Sequence, residues 1–473
     1  RQALLSSSES LAARFNGLDT QLADMRAGVN GQIESSVASI NAFARQIGQL
    51  NDAIEKATTA AQGRPPNDLM DQRDQLIAEL GKEVRVTVVA QGNSSNVFIG
   101  NGQPLVVGDK AYALAATSSP TDSNRTVVAY VAKGKTSILA ESALPGGRLG
   151  GLFDFRSQTL DPTQNALGRI AIVLGDTVNA QHRLGQTASG AMGADLFRLP
   201  SPQVTASRDN TGTGQVSATL QDSSQLSTSD YRVRFDGSNY QVTRLSDNTN
   251  TSYASLPQDI DGLRISLTGT PATGDEFMIR PTAGGASGLK VLIKDVAALA
   301  AAAPLRAQSL ATNAGTGTIS AGKVDASFVP ANIASPVTLQ YASAGNQLSG
   351  FPAVPVTVTA NGVATTYATG ATIPFVADAS YSFNGMQVKL SGAPSDGDRF
   401  SIAANTGGVG DARNAALMAD LQGTMTIGGK SAHFQGAYAM LVADVGNKTR
   451  ELEVTSAAAG LGVFTLTVLS MSA

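Results

Sequence analysis

The sequence predicts an α+β multidomain protein, in which both ends of the chain build an elongated, coiled-coil-like helical bundle. Two or more β-rich domains are inserted between those ends. Three observations support this prediction: a helical ladder of apolar residues over 11–54, a second ladder over 434–452, and a β segment that occurs twice between them.

The first ladder advances in steps of three and four residues. Such steps place side chains on one face of an α-helix, and alternating steps form a coiled-coil seam. Its members are Leu11, Phe15, Leu18, Leu22, Met25, Val29, Ile33, Val37, Ile40, Phe43, Ile47, Leu50 and Ile54. The consecutive four-residue steps from Val29 to Val37 are a stutter, which locally unwinds a coiled coil. A rod of this kind cannot bury its seam alone, so we expect a partner helix.

A second helix is predicted over 67–80, directly after the prolines at 65 and 66. One face is apolar, and the acidic residues lie mostly opposite it. We interpret those acids as a solvated helix face and not as a catalytic cluster. Asn67 is expected to be the N-cap and Gly81 the C-terminal cap.

Later segments supply the partners for the first helix. A helical interlude is expected from near Gly151 to 184, and within it residues 168–181 are strongly apolar. The second ladder consists of Phe434, Tyr438, Leu441, Val445 and Leu452. We predict that the early and late helices pair in one bundle.

The period of the apolar pattern changes to two from Val84, which is typical of β-strands. A β excursion is therefore predicted near 82–140, and further β structure from about 203 to 281. Residues 231–245 read as a hairpin with Asp-Gly-Ser-Asn as its turn.

Residues 262–279 and 385–402 match without a gap at an offset of 123 (385 minus 262). Each copy reads as strand, Gly-Pro turn, Gly-Asp turn, strand, which predicts two related β domains. Phe277 and Phe400 should be equivalent core residues, followed by an inward-facing Ile279 or Ile402. The Gly-Asp turns offer too few oxygen ligands for calcium.

These observations divide the chain into three predicted domains. Residues 1–195 and 405–473 form a discontinuous helical domain, which includes the β excursion. Residues 196–300 form one β domain, and 305–404 form a second, repeat-related β domain. The Ala-, Gly- and Ser-rich stretch 297–322 is expected to be a linker between the two β domains.

Composition excludes several classes of function. A net charge of −3 disfavours nucleic acid or an anionic membrane surface as the main partner. There is no cysteine, and neither His182 nor His433 has a second histidine at metal-ligand spacing. His182 is interpreted as a helix-end residue. Because nucleotide-binding and hydrolase motifs are also absent, we predict no catalytic residue, no cofactor, no metal site and no enzyme activity.

No apolar run reaches the roughly 20 residues that a membrane helix requires, so no membrane insertion is predicted. The chain opens with RQALLSSSES, without an initiator methionine or a signal peptide. We expect it to be part of a longer protein.

Four segments carry a resemblance to a known family. They are NDLMDQRDQLIAELGKEVRVTV (67–88), GRLGGLFDFRSQTLDPTQNALGRIA (147–171), NAQHRLG (179–185) and FQGAYAMLVADVGNKT (434–449). In this order they resemble the hook-associated protein 1 family of the bacterial flagellum, the hook–filament junction proteins. The resemblance covers most of 1–300 and 405–457, whereas 305–404 looks like an inserted outer domain.

The resemblance implies a secreted structural subunit that serves flagellum assembly and motility. It would be an adaptor at the hook–filament junction, exported through the flagellar secretion apparatus to the outside of the cell. Implied partners are the hook protein, the second junction protein, further copies in a ring, and an export chaperone that binds the C-terminus of the full protein. The resemblance also implies that the present chain does not include the terminal polymerisation segments of the family, and its tail after Ala459 is expected to depart from the family pattern. It is therefore expected to be monomeric.

Three other interpretations remain open at the level of sequence. One is another flagellar axial protein, which could be flagellin-like, a hook protein or the second junction protein. The second is a surface adhesin whose repeated β domains bind a ligand. The third is an enzymatic insertion such as a wall hydrolase, which would need a carboxylate pair or a histidine-centred site in 196–404, and no signature of one is visible.

Overall fold

The computed structural model describes residues 1–132 and 134–459, with side chains described as far as Glu451. Within these residues the α-helices are α1 (Gln2–Ala60), α2 (Asn67–Glu83), α3 (Gly147–Phe155), α4 (Asp161–Arg183), α5 (Gly285–Gly288), α6 (Arg413–Asp420) and α7 (Phe434–Ala459). One π-helical turn, Arg156–Leu160, joins α3 to α4. No helix among the described residues is long and apolar enough to cross a membrane.

The strands pair in antiparallel fashion throughout the described residues. In chain order they are β1 (Val86–Gln91), β2 (Ser94–Ile99), β3 (Gln103–Val107), β4 (Lys110–Ala111), β5 (Ala113–Ser118), β6 (Thr126–Ala132), β7 (Lys135–Ile138), β8 (Phe197–Arg198), β9 (Gln203–Ala206), β10 (Gln215–Leu220), β11 (Tyr231–Phe235), β12 (Tyr240–Arg244), β13 (Thr249–Tyr253), β14 (Gln258–Ile260), β15 (Leu263–Thr268), β16 (Glu276–Arg280), β17 (Lys290–Val291), β18 (Leu305–Ser309), β19 (Thr318–Ile319), β20 (Lys323–Val324), β21 (Val337–Ala342), β22 (Gln347–Ser349), β23 (Val356–Ala360), β24 (Val363–Tyr367), β25 (Ile373–Pro374), β26 (Ser380–Phe383), β27 (Met386–Ser391) and β28 (Arg399–Ala404).

The chain forms two compact units. Unit 1 contains residues 1–13, 173–199 and 289–426. Unit 2 contains residues 14–172 and 200–288 and the described residues from 427 onward.

The ladder of the long first helix is confirmed, since none of its members is exposed. The helix is longer than predicted, because the buried Leu5 and Ser8 before the ladder and Thr58 after it continue the same stripe. Within the ladder the stripe also contains buried polar residues, namely Asp19, Arg26, Ser36 and Asn51. A search for apolar periodicity passes over such positions and so ends the helix too early.

The main core of unit 2 lies against the second half of α1. Ile33, Ile40 and Ile47 are buried there with Leu80 of α2. Two sheets close over this core, with strand orders β1-β2-β3-β4 and β5-β6-β7. Their strands fill the segment in which the sequence pattern changes from helical to β spacing.

Both predicted caps of α2 are wrong. Asn67 is the first helical residue, and the N-cap is Pro66, which makes no side-chain cap bond. The helix continues past Gly81 to Glu83, and Val84 in an extended conformation ends it. A C-terminal glycine cap requires a left-handed turn, whereas here the chain leaves the helix directly into β1.

The helix expected to start near Gly151 starts four residues earlier, at Gly147. A Cβ at Gly147 would lie 2.6 Å from the carbonyl carbon of Glu83, and its φ is +60°. Glycine is therefore required by a close approach to the end of α2. Because glycines depress helix propensity, the pattern places the start of the helix too late.

The hairpin at 231–245 is confirmed as β11 and β12, with Asp236 N–H donating to the carbonyl of Asn239 at 3.0 Å. It belongs to a sheet with strand order β13-β12-β11-β16-β9, packed with β10-β15-β14. Both sheets lie in unit 2.

The duplicated segment is confirmed as β15–β16 in unit 2 and β27–β28 in unit 1. The sheet β18-β28-β21-β22-β25 of unit 1 repeats the order of its counterpart. Phe277, Ile279, Phe400 and Ile402 are each at most 2% exposed, as predicted. The second copy differs by an additional hairpin, β23–β24.

The stretch 297–322 is not the expected linker. Residues 299–303 are buried, and β18 pairs with β28 over its whole length. Alanine is small enough to pack closely in a core, so composition alone misjudged this segment.

On α7, Phe434, Tyr438, Leu441 and Val445 are partly buried, whereas Met440 is 63% exposed. These four ladder members therefore share one face of the helix. Two predictions fall outside the described residues. One is that the side chain of Leu452 belongs to the second ladder, and the other is that the tail after Ala459 departs from the family pattern.

Candidate functional site

The acidic residues of α2 do not gather into a site. Asp68, Asp71 and Asp74 are exposed, as expected for a solvated face. The unexpected member is Arg73, which is 5% exposed and donates to the carbonyl of Asn93 at 2.8 Å. Asn51 of α1 accepts from the same guanidinium at 3.3 Å, so Arg73 ties α2 to α1.

The two histidines have structural partners. His182 lies near the end of α4, as predicted, and is fully buried between two backbone groups. His433 Nδ1 accepts from the N–H of Gly436 at 2.9 Å, which caps the start of α7.

The aspartates of the two Gly-Asp turns bind backbone amides. Asp275 accepts from the N–H groups of Thr211, Gly212 and Ala272 at 2.9–3.1 Å. Asp398 accepts from the equivalent N–H groups, those of Ala314, Gly315 and Ser395, at 2.8–3.0 Å. In both, burial alone would raise the carboxyl pKa, but these hydrogen bonds hold the pKa below its usual value. Each aspartate fixes two loops of its own domain.

These contacts extend the duplication to a motif that the sequence comparison missed. The side-chain amide of Asn210 donates to the carbonyl of Glu276 and accepts from its N–H, and Glu276 follows Asp275 in the chain. Asn313 makes the same two bonds with Arg399, which follows Asp398. The two asparagines begin the related stretches NTGTG and NAGTG. The offset of this pair is 103 (313 minus 210) and not 123, because the second copy contains extra residues, so a gapless comparison could not find it.

An ion-pair network in unit 2 joins the helices to the β excursion. Asp161, at the start of α4, binds Arg26 of α1 at 2.7 Å and Arg125 at 2.6 Å. Glu141 binds Arg125 at 2.9 Å and the fully buried Arg156 at 2.8 Å. The network thereby links α1, the start of α4 and the β excursion, which are distant from one another in sequence.

A second group of polar contacts joins α4 and the β excursion to the β domain 200–288. Arg280 of β16 binds Asp122 at 2.9 Å and lies 3.8 Å from Asp230, which also accepts from Asn165 of α4 at 3.1 Å. Burial raises the pKa of Asp230 to about 6, although Arg280 opposes this shift. We call the group Asp122, Asn165, Asp230 and Arg280 the first joint.

Backbone packing supports the first joint. A Cβ at Gly168 would lie 1.8 Å from the carbonyl oxygen of Thr282, so α4 touches the chain after β16 directly. The guanidinium of Arg208 also binds Ser118 of β5. The β domain of unit 2 is therefore fastened both to α4 and to the β excursion.

A second joint, within unit 1, holds the domain that contains β18–β28. Its stem, residues 299–305 and 405–414, is bound by the buried side chains of Asn405 and Asn414 and by the partly exposed Arg413. Asn414 donates to the carbonyls of Ala300 at 2.7 Å and Gln181 at 3.2 Å. Asn405 donates to the carbonyl of Ala303 at 2.8 Å, and Arg413 to that of Leu305 at 2.8 Å.

The contacts described above hold elements and domains in position. Within the described ranges, no group of three or more His, Cys, Asp or Glu is placed to hold a metal ion. The charged and amide side chains that come together instead bind one another and the backbone. Sequence reasoning did not find the joints, because single polar residues on helices and strands carry no periodic signal.

Family comparisons agree with this architecture along the chain. Residues 1–197 match the helical domain of flagellar hook-associated protein FlgK, residues 204–281 the D2-like domain of flagellar hook-associated protein 1, and residues 304–404 its D3 domain.

Two curated relatives show the same similarity. Flagellar hook-associated protein 1 of Escherichia coli is 41% identical over 307 residues, which cover 64% of this chain and 56% of that protein. The protein of the same name from Salmonella typhimurium is 41% identical over 308 residues, with the same coverage. The chain thus spans little more than half the length of these relatives.

A solved structure extends the comparison to nearly the whole chain. The flagellar hook junction protein FlgK from Burkholderia pseudomallei superposes with a TM-score of 0.90 at 36% identity, covering 97% of this chain and 87% of that one. The chain belongs to the flagellar hook-associated protein 1 family.

Proposed function

We propose that this chain is part of a structural subunit of the bacterial flagellum, an adaptor at the hook–filament junction on which the filament is assembled. The observation that carries the proposal is the superposition on a hook junction protein over 97% of the chain. The two polar joints support it, because an adaptor must hold its domains in fixed orientations.

The partners follow from this role. The subunit would bind the hook protein on one side and the second junction protein on the other, and would form a ring with further copies. Export through the flagellar secretion apparatus, assisted by a chaperone that binds the C-terminus of the full protein, would place it outside the cell. The role requires no chemistry, so we propose that the protein is not an enzyme and has no cofactor.

We further propose the domain division that the sequence suggested. Residues 1–195 and 405–473 would be one discontinuous helical domain with a β excursion near 82–140, and residues 196–300 and 305–404 the two β domains. The partly buried ladder of α7 supports a coiled-coil-like pairing of late and early helices. A heptad seam is stable only against a facing helix.

Deletion of the second β domain tests the proposed role. Leu305 and Ala404 are paired residues on β18 and β28, so a short Gly-Ser linker can replace 305–404 without separating their neighbours. In a strain that lacks its own gene, we expect the intact gene to restore filaments and swarming. We expect the deletion variant to restore both as well, since the helical part would make the junction contacts.

The controls separate the competing functions. Hooks without filaments in the deleted strain, seen by electron microscopy, are the required starting point. If the intact gene leaves those hooks bare, the proposed role is wrong. If the deletion leaves swarming intact but abolishes attachment to a surface, the result favours the adhesin interpretation for residues 305–404.

The purified chain of 473 residues is expected to be a monomer in dilute solution. The seam of α1 is already covered within the chain, since none of its ladder members is exposed, and uncovered apolar seams are what drive association. Light scattering coupled to size exclusion at micromolar concentration should give about 48.3 kDa. A stable dimer or ring would show that further surfaces carry assembly contacts.

A further inference from the structure

His182 links the stem of the second joint to the segment after α4 through the two nitrogens of its ring. Nδ1 lies 2.6 Å from the carbonyl oxygen of Ala194, and Nε2 lies 2.9 Å from the backbone nitrogen of Ala300. An amide N–H can only donate, so Nε2 must be the acceptor and must be unprotonated. Nδ1 therefore carries the ring proton and donates a hydrogen bond to the carbonyl oxygen of Ala194. The geometry fixes one neutral tautomer.

The surroundings leave no place for a second proton. A proton on Nε2 would point at the N–H of Ala300, and the imidazole is fully buried. A Cβ at Gly193 would lie 2.9 Å from Nδ1, so the opposite side is closed as well. A protonated His182 could therefore keep its place only by losing the bond to Ala300.

The charged groups near the ring do not stabilise a protonated imidazole enough to reverse the effect of burial. From the segment after α4, Asp195 faces the ring, but it binds Arg183 of α4. From the stem, Asp411 and Arg413 bind each other at 2.7 Å. Burial lowers the pKa of His182, and the Ala194 carbonyl and Asp195 oppose this shift without reversing it.

We propose that His182 is an acid-sensitive lock on the stem of the β18–β28 domain. The neutral imidazole keeps residues 299–303 against the end of α4, and protonation of Nε2 releases them. This device goes beyond the proposed role at the junction and does not depend on it.

The expected size of the effect follows from proton linkage. A released histidine has a pKa of about 6.5, and the closed stem binds the second proton poorly. Stability of the closed stem is therefore fully present above about pH 6.5 and is lost as the pH falls below it. From pH 7.5 to pH 5.0 the open population should rise about 30-fold, if only the open state binds the proton.

Hydrogen exchange of the Ala300 amide measures the open population directly. After correction for the intrinsic pH dependence of exchange, its protection should fall about 30-fold between pH 7.5 and pH 5.0. The amide of Val388, in the middle of β27, reports on the same domain away from the stem and should change far less. Equal losses at both amides would mean general acid unfolding and would overturn the proposal.

The sequence contains one other histidine, His433, so the ring signals of His182 can be assigned by comparison with the His433→Gln variant. In a spectrum of ¹³C-labelled histidine ring carbons, the closed-state signal of His182 should not titrate down to pH 5. A His182 signal that titrates near pH 6.5 while Ala300 stays protected would also overturn the proposal.

Two variants complete the test. His182→Gln should remove most of the pH dependence at Ala300, whatever its overall protection, whereas His433→Gln should retain the full change. If His182→Gln does not fold, the exchange and titration of the unaltered chain still decide the question. An unchanged pH dependence in a folded His182→Gln variant would show that another group is responsible.

Discussion

Replacing Phe400 by alanine is expected to destabilise the β domain 305–404 by about 3–5 kcal/mol, the usual cost of truncating a buried phenylalanine. Its ring is fully buried on β28, and β18 and β21 lie on either side of that strand. A Cβ at Gly317 would lie 2.9 Å from the tip of the ring, so the backbone of the duplicated NAGTG stretch packs directly against it. The cavity left by alanine could not easily collapse.

Phe277→Ala should have a comparable effect on the β domain of unit 2, where Phe277 pairs with Val233 of β11. Exchange measured by mass spectrometry on peptides from 200–285 and 305–404 can assign each loss to its own domain. Val363→Ala, at a position 67% exposed on β24, is the control and should change stability by less than about 0.5 kcal/mol. A loss in the wrong domain, or none, would contradict the equivalence of the two phenylalanines.

The sequence predicted these cores because each strand pattern is local. In the segment 262–279, alternation of apolar and polar residues, with glycines at the turns, is enough to define two strands and the inner face of each, although β15 and β16 join different sheets. The match with 385–402 doubled this evidence. The same holds for α1, whose apolar ladder extends over more than ten turns.

Helix ends were predicted less well, because competing local signals exist there. Asn67 favours an N-cap, but the preceding Pro66 already occupies that position and Asn67 begins the helix. Gly81 resembles a C-terminal cap, but the short connection to β1 keeps it inside α2. In both cases the conformation of the adjoining chain outweighed the preference of a single residue.

The joints could not be predicted, because they depend on contacts between residues far apart in sequence. Asp122, Asn165 and Arg280 belong to a loop, a helix and a strand that no pattern connects. Buried polar stripe members such as Arg26 are read as interruptions of an apolar seam, although here Arg26 binds Asp161. The polar residues that orient the domains are thus residues that a search for apolar periodicity does not detect.

Arg156 is the residue of the ion-pair network whose removal should cost the most. It is fully buried, donates to the carbonyl of Thr126 at 2.8 Å, binds Glu141 at 2.8 Å, and lies over the ring of Phe153 at 5.5 Å. Arg156→Ala removes all three contacts and leaves a void beside the π-helical turn. We expect unit 2 to lose about 2–5 kcal/mol, the usual cost of truncating a large buried side chain, since Glu141 keeps its ion pair with Arg125.

Two further variants show what part of that loss is electrostatic. Arg156→Met fills most of the volume without the charge, and its cost should fall between those of Arg156→Ala and the unaltered chain, since the carbonyl of Thr126 loses a donor. Arg264→Ala removes an arginine whose pair with Asp259 is exposed on both sides, and should cost at most about 1 kcal/mol. Urea unfolding followed by exchange on peptides from 140–172 measures all three variants. If Arg156→Ala were no more costly than Arg264→Ala, the network would not hold the helices to the β excursion, and the packing of Gly168 against Thr282 would be left as the main fastening of α4.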